Sequence, residues 1–126
     1  MTSKKTFLVT GGTGFIGRGI VNLLLKKNYG VVVFDNDSRG SFKKLNNKKI
    51  IFIKGDIREK KNLFNALKLA DAVIHLAYIN GTKYFYEKPE LVLDVAIKGL
   101  VNIFDGCKKF KIKELYLASS SEVYQT

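Results

Sequence analysis

The sequence is short of several residue types, and each shortage closes off a class of protein. It holds one cysteine, one proline, one histidine and no tryptophan in 126 residues. Cys107 alone cannot form an internal disulfide, and no metal-ligand cluster can be built around it. It sits near Ile103 and Phe104 in a helical pattern, where a lone thiol reads as a small apolar residue. No internal repeat occurs at solenoid periods, and no segment is of low complexity. No apolar run reaches the roughly 18 residues of a membrane-spanning helix. Met1-Thr2-Ser3-Lys4-Lys5 leads straight into a β-type run, without the apolar core and cleavage site of a signal peptide. The expectation is a cytoplasmic protein with no membrane partner.

Acidic residues are scarce as well. Eleven Asp and Glu face 22 Lys and Arg, giving a formal charge of +11. That balance raises the question of nucleic acid. The positive charge is nearly all lysine, however, in scattered pairs such as Lys26-Lys27, Lys43-Lys44 and Lys60-Lys61. Neither an arginine-rich stripe nor an aromatic-interleaved patch is present. The pattern is that of a solvated surface, with no nucleic-acid partner expected, although an anionic ligand would gain from the field.

What remains is 46% apolar, enough for one compact domain over 1–126. Short apolar runs alternate with helical patterns. Strands are expected at Lys5 to Thr10, Gly30 to Asp35, Ile50 to Ile53, Asp71 to His75 and Glu114 to Ala118. Helices are expected from Phe15 to Lys27, with Ile16, Ile20, Leu23 and Leu24 inward, and from Glu59 to Leu69. A third starts at Pro89 and runs to about Phe110, with Leu91, Val95, Leu100, Ile103, Phe104 and Cys107 inward. A short helix near Phe42 to Leu45 is possible, and Ala77 to Lys88 reads as irregular. Strands joined by helices require right-handed crossovers and a parallel sheet. The fold class is therefore α/β, a Rossmann-type doubly wound parallel sheet of order 3-2-1-4-5, truncated after strand five. Its ligand belongs beyond the strand C-termini at the switch point.

Gly12-Thr13-Gly14-Phe15-Ile16-Gly17 fits the dinucleotide fingerprint, and Gly11, Gly14 and Gly17 fit a register spaced by three. The run follows a strand, opens a helix, and precedes Asp35 by 18 residues, which is the context the fingerprint needs. Glycines allow a tight turn, close approach of a diphosphate, and packing of helix on strand. The helix N-terminus offers free N–H groups and a partial positive charge. Asp35, ending the second strand, can accept both hydroxyls of an adenosine ribose and would repel a 2′-phosphate. NAD is therefore expected before NADP, with Arg39 the one nearby residue that could accommodate the latter. Asp35 could alternatively be a turn-forming acid. Asp56, ending the third strand, can accept from an adenine amino group with Ile57 against the ring, or it can cap the following helix.

The residues at these positions resemble the extended short-chain dehydrogenase/reductases, in particular the NAD-dependent epimerase/dehydratase branch that acts on nucleotide sugars. The resemblance rests on Thr10 to Gly17, Asp35 to Gly40, Gly55-Asp56-Ile57-Arg58, His75-Leu76-Ala77 and Ala118 to Tyr124, in order and at the usual spacing. It implies that Gly11, Gly14, Phe15, Ile16 and Gly17 hold the pyrophosphate. It places Asp35 and Asn36 on the ribose, Asp56 and Ile57 on adenine, and Leu76, Ala77 and Tyr78 toward the nicotinamide. His75 is expected to be structural. Ser120, with Ser121 second, is the hydroxyl that would polarise the substrate. Ala96 and Leu100 stand where the family usually has asparagine and threonine.

The family's catalytic base is a tyrosine with a lysine four residues later, roughly 25 residues beyond that serine. The chain lacks the pair there, and Tyr124 cannot substitute. Transient oxidation of a nucleotide sugar is the activity implied for the family, with negligible turnover expected from this polypeptide alone. The competing expectation is a stand-alone dinucleotide-binding module, as a homodimer or with a complementing chain at the exposed sheet edge.

Overall fold

A computed structural model describes residues 3–124. Five strands, β1 (Thr6–Thr10), β2 (Gly30–Asp35), β3 (Ile50–Lys54), β4 (Ala72–His75) and β5 (Glu114–Leu117), form one sheet ordered β3-β2-β1-β4-β5. Every pairing is parallel, with Leu8 opposite Val32 on one side and Val73 on the other. The expected strand order is the observed one. Helices α1 (Phe15–Lys26), α2 (Lys60–Leu67), α3 (Thr82–Glu87) and α4 (Pro89–Lys109) complete the chain, with single 3-10 turns at Phe42–Lys44 and Ser121–Val123.

Because side chains alternate across a strand, consecutive residues enter opposite cores. Phe7, Val9, Val31 and Val33 pack with Val21 and Leu24 of α1. Leu8, Val32, Phe34 and Val73 pack with Leu63 and Leu67 of α2 and Ile103 and Cys107 of α4. Both faces of β1 and β2 are thus buried, which explains their unbroken apolar runs. The Phe34 ring fills the space over Gly55, where an added Cβ would stand 2.7 Å from its Cζ.

Two helices are rotated from the faces that sequence periodicity suggests. In α1 the buried residues are Gly17, Val21 and Leu24, while Ile16 and Leu23 are exposed. Gly17 sets that rotation: an added Cβ would lie 2.2 Å from the Gly11 carbonyl oxygen, so this position must face the turn. In α4 the buried set is Val92, Gly99, Asn102, Ile103, Gly106 and Cys107, and Phe104 is half exposed. Gly99 and Gly106 bring the helix against Ile57 and Leu67, each with room for no Cβ. Cys107 is buried and free, as expected, and burial pushes its thiol pKa up.

The segment expected to be irregular contains α3, which follows Gly81 at φ 122° and buries no residue. A six-residue helix with no inward face leaves no periodic signal. Among the described residues no helix is long and apolar enough to cross a membrane.

Candidate functional site

The carboxyl ends of β1 to β4 surround a cleft of about 440 Å³. Its floor is the turn after β1. Gly11 adopts φ 69°, a left-handed conformation that favours glycine, and its N–H donates to the Phe34 carbonyl at 2.9 Å. The chain then enters α1 at Gly14, where no side chain caps the helix. The amides of its first turn therefore lack a side-chain acceptor, while the Gly14 N–H donates to the Gly11 carbonyl at 3.2 Å. Gly14 borders the cleft, and an added Cβ there would meet only the Gly11 oxygen, at 3.4 Å.

Asp35 binds the glycine turn to the following loop. One carboxylate oxygen accepts the Thr13 N–H at 3.0 Å and the other the Asp37 N–H at 2.8 Å. Each oxygen keeps a second lone pair. The turn-forming and cleft-lining readings of Asp35 thus coexist in one geometry.

Asp56 lines the cleft, but Arg58 holds its carboxylate. Arg58 donates from Nε to both oxygens at 3.1 Å, from Nη2 at 2.7 Å and from its amide at 2.9 Å. Those bonds hold the Asp56 pKa below the usual carboxylate range. Arg58 also reaches Asp94 of α4 at 2.9 Å, and Lys98 takes the other Asp94 oxygen at 2.6 Å. The alternative role expected of Asp56, capping the next helix, is not what forms: α2 is preceded by Glu59 and has no side-chain cap. Ile57 is 5% exposed and belongs to the core against Gly99, while its carbonyl accepts the buried Asn102 Nδ2 at 3.0 Å.

The β4 end contributes a network the sequence reading did not find. Thr10 Oγ1 accepts the Leu76 and Ala77 amides at 3.0 and 3.2 Å and lies 2.7 Å from His75 Nδ1. With both acceptor positions taken, the hydroxyl proton is left for His75 Nδ1. The ring is then neutral with its proton on Nε2, which has no partner among the described residues. Burial pushes the His75 pKa down to about 4. Thr10 and His75 are 65 residues apart in sequence, and only the pairing of β1 with β4 brings them opposite each other.

Of the residues singled out in the sequence, Gly11, Gly14, Asp35, Asn36, Asp56, Ile57, Leu76, Ala77 and Tyr78 line the one cleft. Phe15, Ile16 and Gly17 do not. The first two expose their side chains, leaving only their backbone for a ligand, and Gly17 packs beneath the turn. Ser120 and Ser121 lie beyond β5, outside the lining, and Ser120 Oγ accepts the Glu122 N–H at 3.2 Å. A tyrosine and a lysine four residues apart do occur, at Tyr84 and Lys88 across α3, well before the place where the family resemblance puts such a pair.

A parallel sheet whose strand order reverses beside a glycine turn and an uncapped helix defines a Rossmann-like nucleotide-binding fold. Residues 7–126 match the NAD dependent epimerase/dehydratase family, and the chain belongs to it. A UDP-glucose 4-epimerase of Schizosaccharomyces pombe is 32% identical over 129 residues, covering 96% of this chain and 36% of the relative. A UDP-N-acetyl-alpha-D-glucosaminuronate decarboxylase of Bacillus cytotoxicus is 36% identical over 125 residues, covering 96% of this chain and 38% of its own length. The crystal structure of UDP-glucose 4-epimerase from Bifidobacterium longum in complex with NAD+ and UDP superposes with a TM-score of 0.89 at 28% identity. That match covers 97% of this chain and 39% of the other. The chain thus spans little more than a third of the relatives it matches.

Proposed function

We propose that the cleft holds NAD and that this chain is the cofactor-binding part of a nucleotide-sugar epimerase or a related oxidoreductase. The observation that carries the reading is the glycine turn, where Gly11 at φ 69° and Gly14 line the cleft and the first turn of α1 has no side-chain cap. Backbone amides at Phe15 and Ile16 would hold the pyrophosphate over the bare Gly11 and Gly14, whose own N–H groups donate to the Phe34 and Gly11 carbonyls, and Asp35 with Asn36 would hold the adenosine ribose. Asp56, oriented by Arg58, and Ile57 would border the adenine. Leu76, Ala77 and Tyr78 would line the way to the nicotinamide. Bound NAD supplies a reversible hydride acceptor, and the protein's part is position and field. His75 stays neutral above about pH 4, so it brings no cation to the nicotinamide end.

Ser120 keeps its assignment to the substrate side by resemblance alone. Its place outside the cleft lining favours a second reading, a dinucleotide-binding module without its own chemistry. Calorimetric titration with NAD, NADP and ADP-ribose tests the primary reading. NAD and ADP-ribose should bind with similar affinity and NADP more weakly, because Asp35 repels a 2′-phosphate. Silence from all three at millimolar concentration removes the dinucleotide reading.

A further inference from the structure

We propose that Asn80-Gly81 is a site of spontaneous covalent modification, at which a main-chain carbonyl on the cleft rim becomes a carboxylate bonded to Arg39. Asn80 is the one asparagine in the chain followed by glycine. Both residues are exposed, in the loop between β4 and α3. Ile79, next to Asn80, and Arg39 line the cleft. Arg39, from the loop after β2, donates from Nη1 to the Asn80 carbonyl at 2.6 Å.

An asparagine side chain cyclises when the next main-chain nitrogen attacks its Cγ. The step needs a nitrogen with no competing hydrogen bond and no side chain in the way. Gly81 meets both demands. Its N–H donates to no main-chain acceptor among the described residues, and an added Cβ would meet only Tyr84, at 3.9 Å. Its φ of 122° is open to glycine and strained for other residues. Asp105-Gly106 has the same chemistry available, but it lies inside α4, with Gly106 buried against Leu67. There the helical hydrogen-bond ladder holds the nitrogen.

Gly81 N loses its proton to base, bonds to Asn80 Cγ and expels ammonia, which closes a succinimide ring. Water then opens the ring at one of its two carbonyls, and no oxidant or other reagent is needed. Opening at Cγ gives aspartate on an unaltered main chain. Opening at the former main-chain carbonyl leaves Gly81 bonded to Cγ, as isoaspartate, and turns that carbonyl into a carboxylate. Arg39 bonds this second carbonyl. A guanidinium draws electron density from the oxygen it binds, so water is steered to that carbon. The new carboxylate forms on the atom that Arg39 already holds, and a charge–dipole bond becomes an ion pair between the loops after β2 and β4. Arg39 has no ion pair among the described residues to give up. On the dinucleotide reading, the added negative charge also repels the phosphates of the ligand.

The test ages the wild type, Asn80→Gln and Arg39→Gln in warm, mildly alkaline buffer and maps their peptides by mass spectrometry, with isoaspartyl methyltransferase as the label. The wild type should gain isoaspartate at position 80 and release ammonia. Asn80→Gln, whose side chain closes a larger ring more slowly, should gain none. Arg39→Gln should give a lower ratio of isoaspartate to aspartate. An Asn80 that stays intact while a peptide of residues 78–83 converts overturns the proposal. An unchanged product ratio in Arg39→Gln overturns the role given to Arg39. Aged wild type, separated from fresh protein by ion exchange, should bind ADP-ribose about threefold more weakly, the scale of one exposed charge interaction. Equal affinity overturns that consequence. If neither form binds ADP-ribose, the dinucleotide reading falls, while the chemistry at Asn80 stands on the mass data.

Discussion

On the β1–β2 side of the cleft the protein closes on itself, whereas on the β4–β5 side it leaves much uncovered. Thr13, Asp35, Asp37 and Phe42 are tied in one chain of hydrogen bonds, and β1 and β2 are buried on both faces. Across the cleft, Tyr116 and Leu117 of β5 are about half exposed, and α4 presents Leu93, Ile97 and Val101 to solvent. His75 Nε2 is buried without a partner among the described residues. The difference teaches that the pieces assigned to diphosphate and ribose are preorganised by local contacts, while the far wall depends on sparse long-range ones.

The sharpest way to break that comparison is a matched pair of truncations. Leu8→Ala, in the fully enclosed strand, should cost about 3 kcal/mol in urea denaturation. Leu117→Ala, on β5, should cost under about 1 kcal/mol. Equal losses would mean that β5 is as tightly held as β1.

The buried imidazole gives a second effect of similar size, reached only at low pH. His75 has a folded pKa of about 4 against 6.5 when free. The unfolded chain therefore takes up the proton first as pH falls. No stability is lost to this group above about pH 6.5, and the loss grows down to about pH 4, on the order of 3 kcal/mol in full. A His75→Gln variant, which can still accept from Thr10, should lack that component. Parallel pH–stability curves for the two proteins would refute the burial argument.

The smallest of the three effects concerns the seam between β3 and α4. Asn102→Ala strips the Ile57 carbonyl of its donor and should cost about 1–2 kcal/mol. It should also loosen the corner assigned to adenine, so AMP affinity should fall along with the melting temperature. An unaltered melting temperature would show that water replaces the amide.

These regions also differ in how readable they were. The five strands, their order and the glycine turn follow from local signals: apolar runs of strand length, each punctuated by glycine or an acid. Helix faces did not follow, because glycine at positions 17, 99 and 106 chose them by permitting contact, and glycine carries no hydrophobic signal. The ribose-side assignment of Asp35 falls in the cleft because a strand end fixes where an acid points. Arg58 on Asp56, Thr10 on His75 and Arg39 on Asn80 were invisible for a different reason. Each needs a side-chain reach or a strand neighbour that spacing along the chain does not encode. Ser120 was assigned by motif, and its oxygen accepts the Glu122 N–H of the turn it caps, which leaves the hydroxyl proton free to donate.

The three successive valines of β2 carry one more implication. Val31, Val32 and Val33 are chemically interchangeable, so they cannot tell the strand which of two adjacent frames to adopt. Phe34 can, since only one frame sets its ring over Gly55 and its carbonyl opposite the Gly11 amide. A slip by a single step would swing Asp35 to the opposite face of the sheet. One aromatic ring thus serves as the index mark by which a featureless strand delivers its carboxylate to the right address.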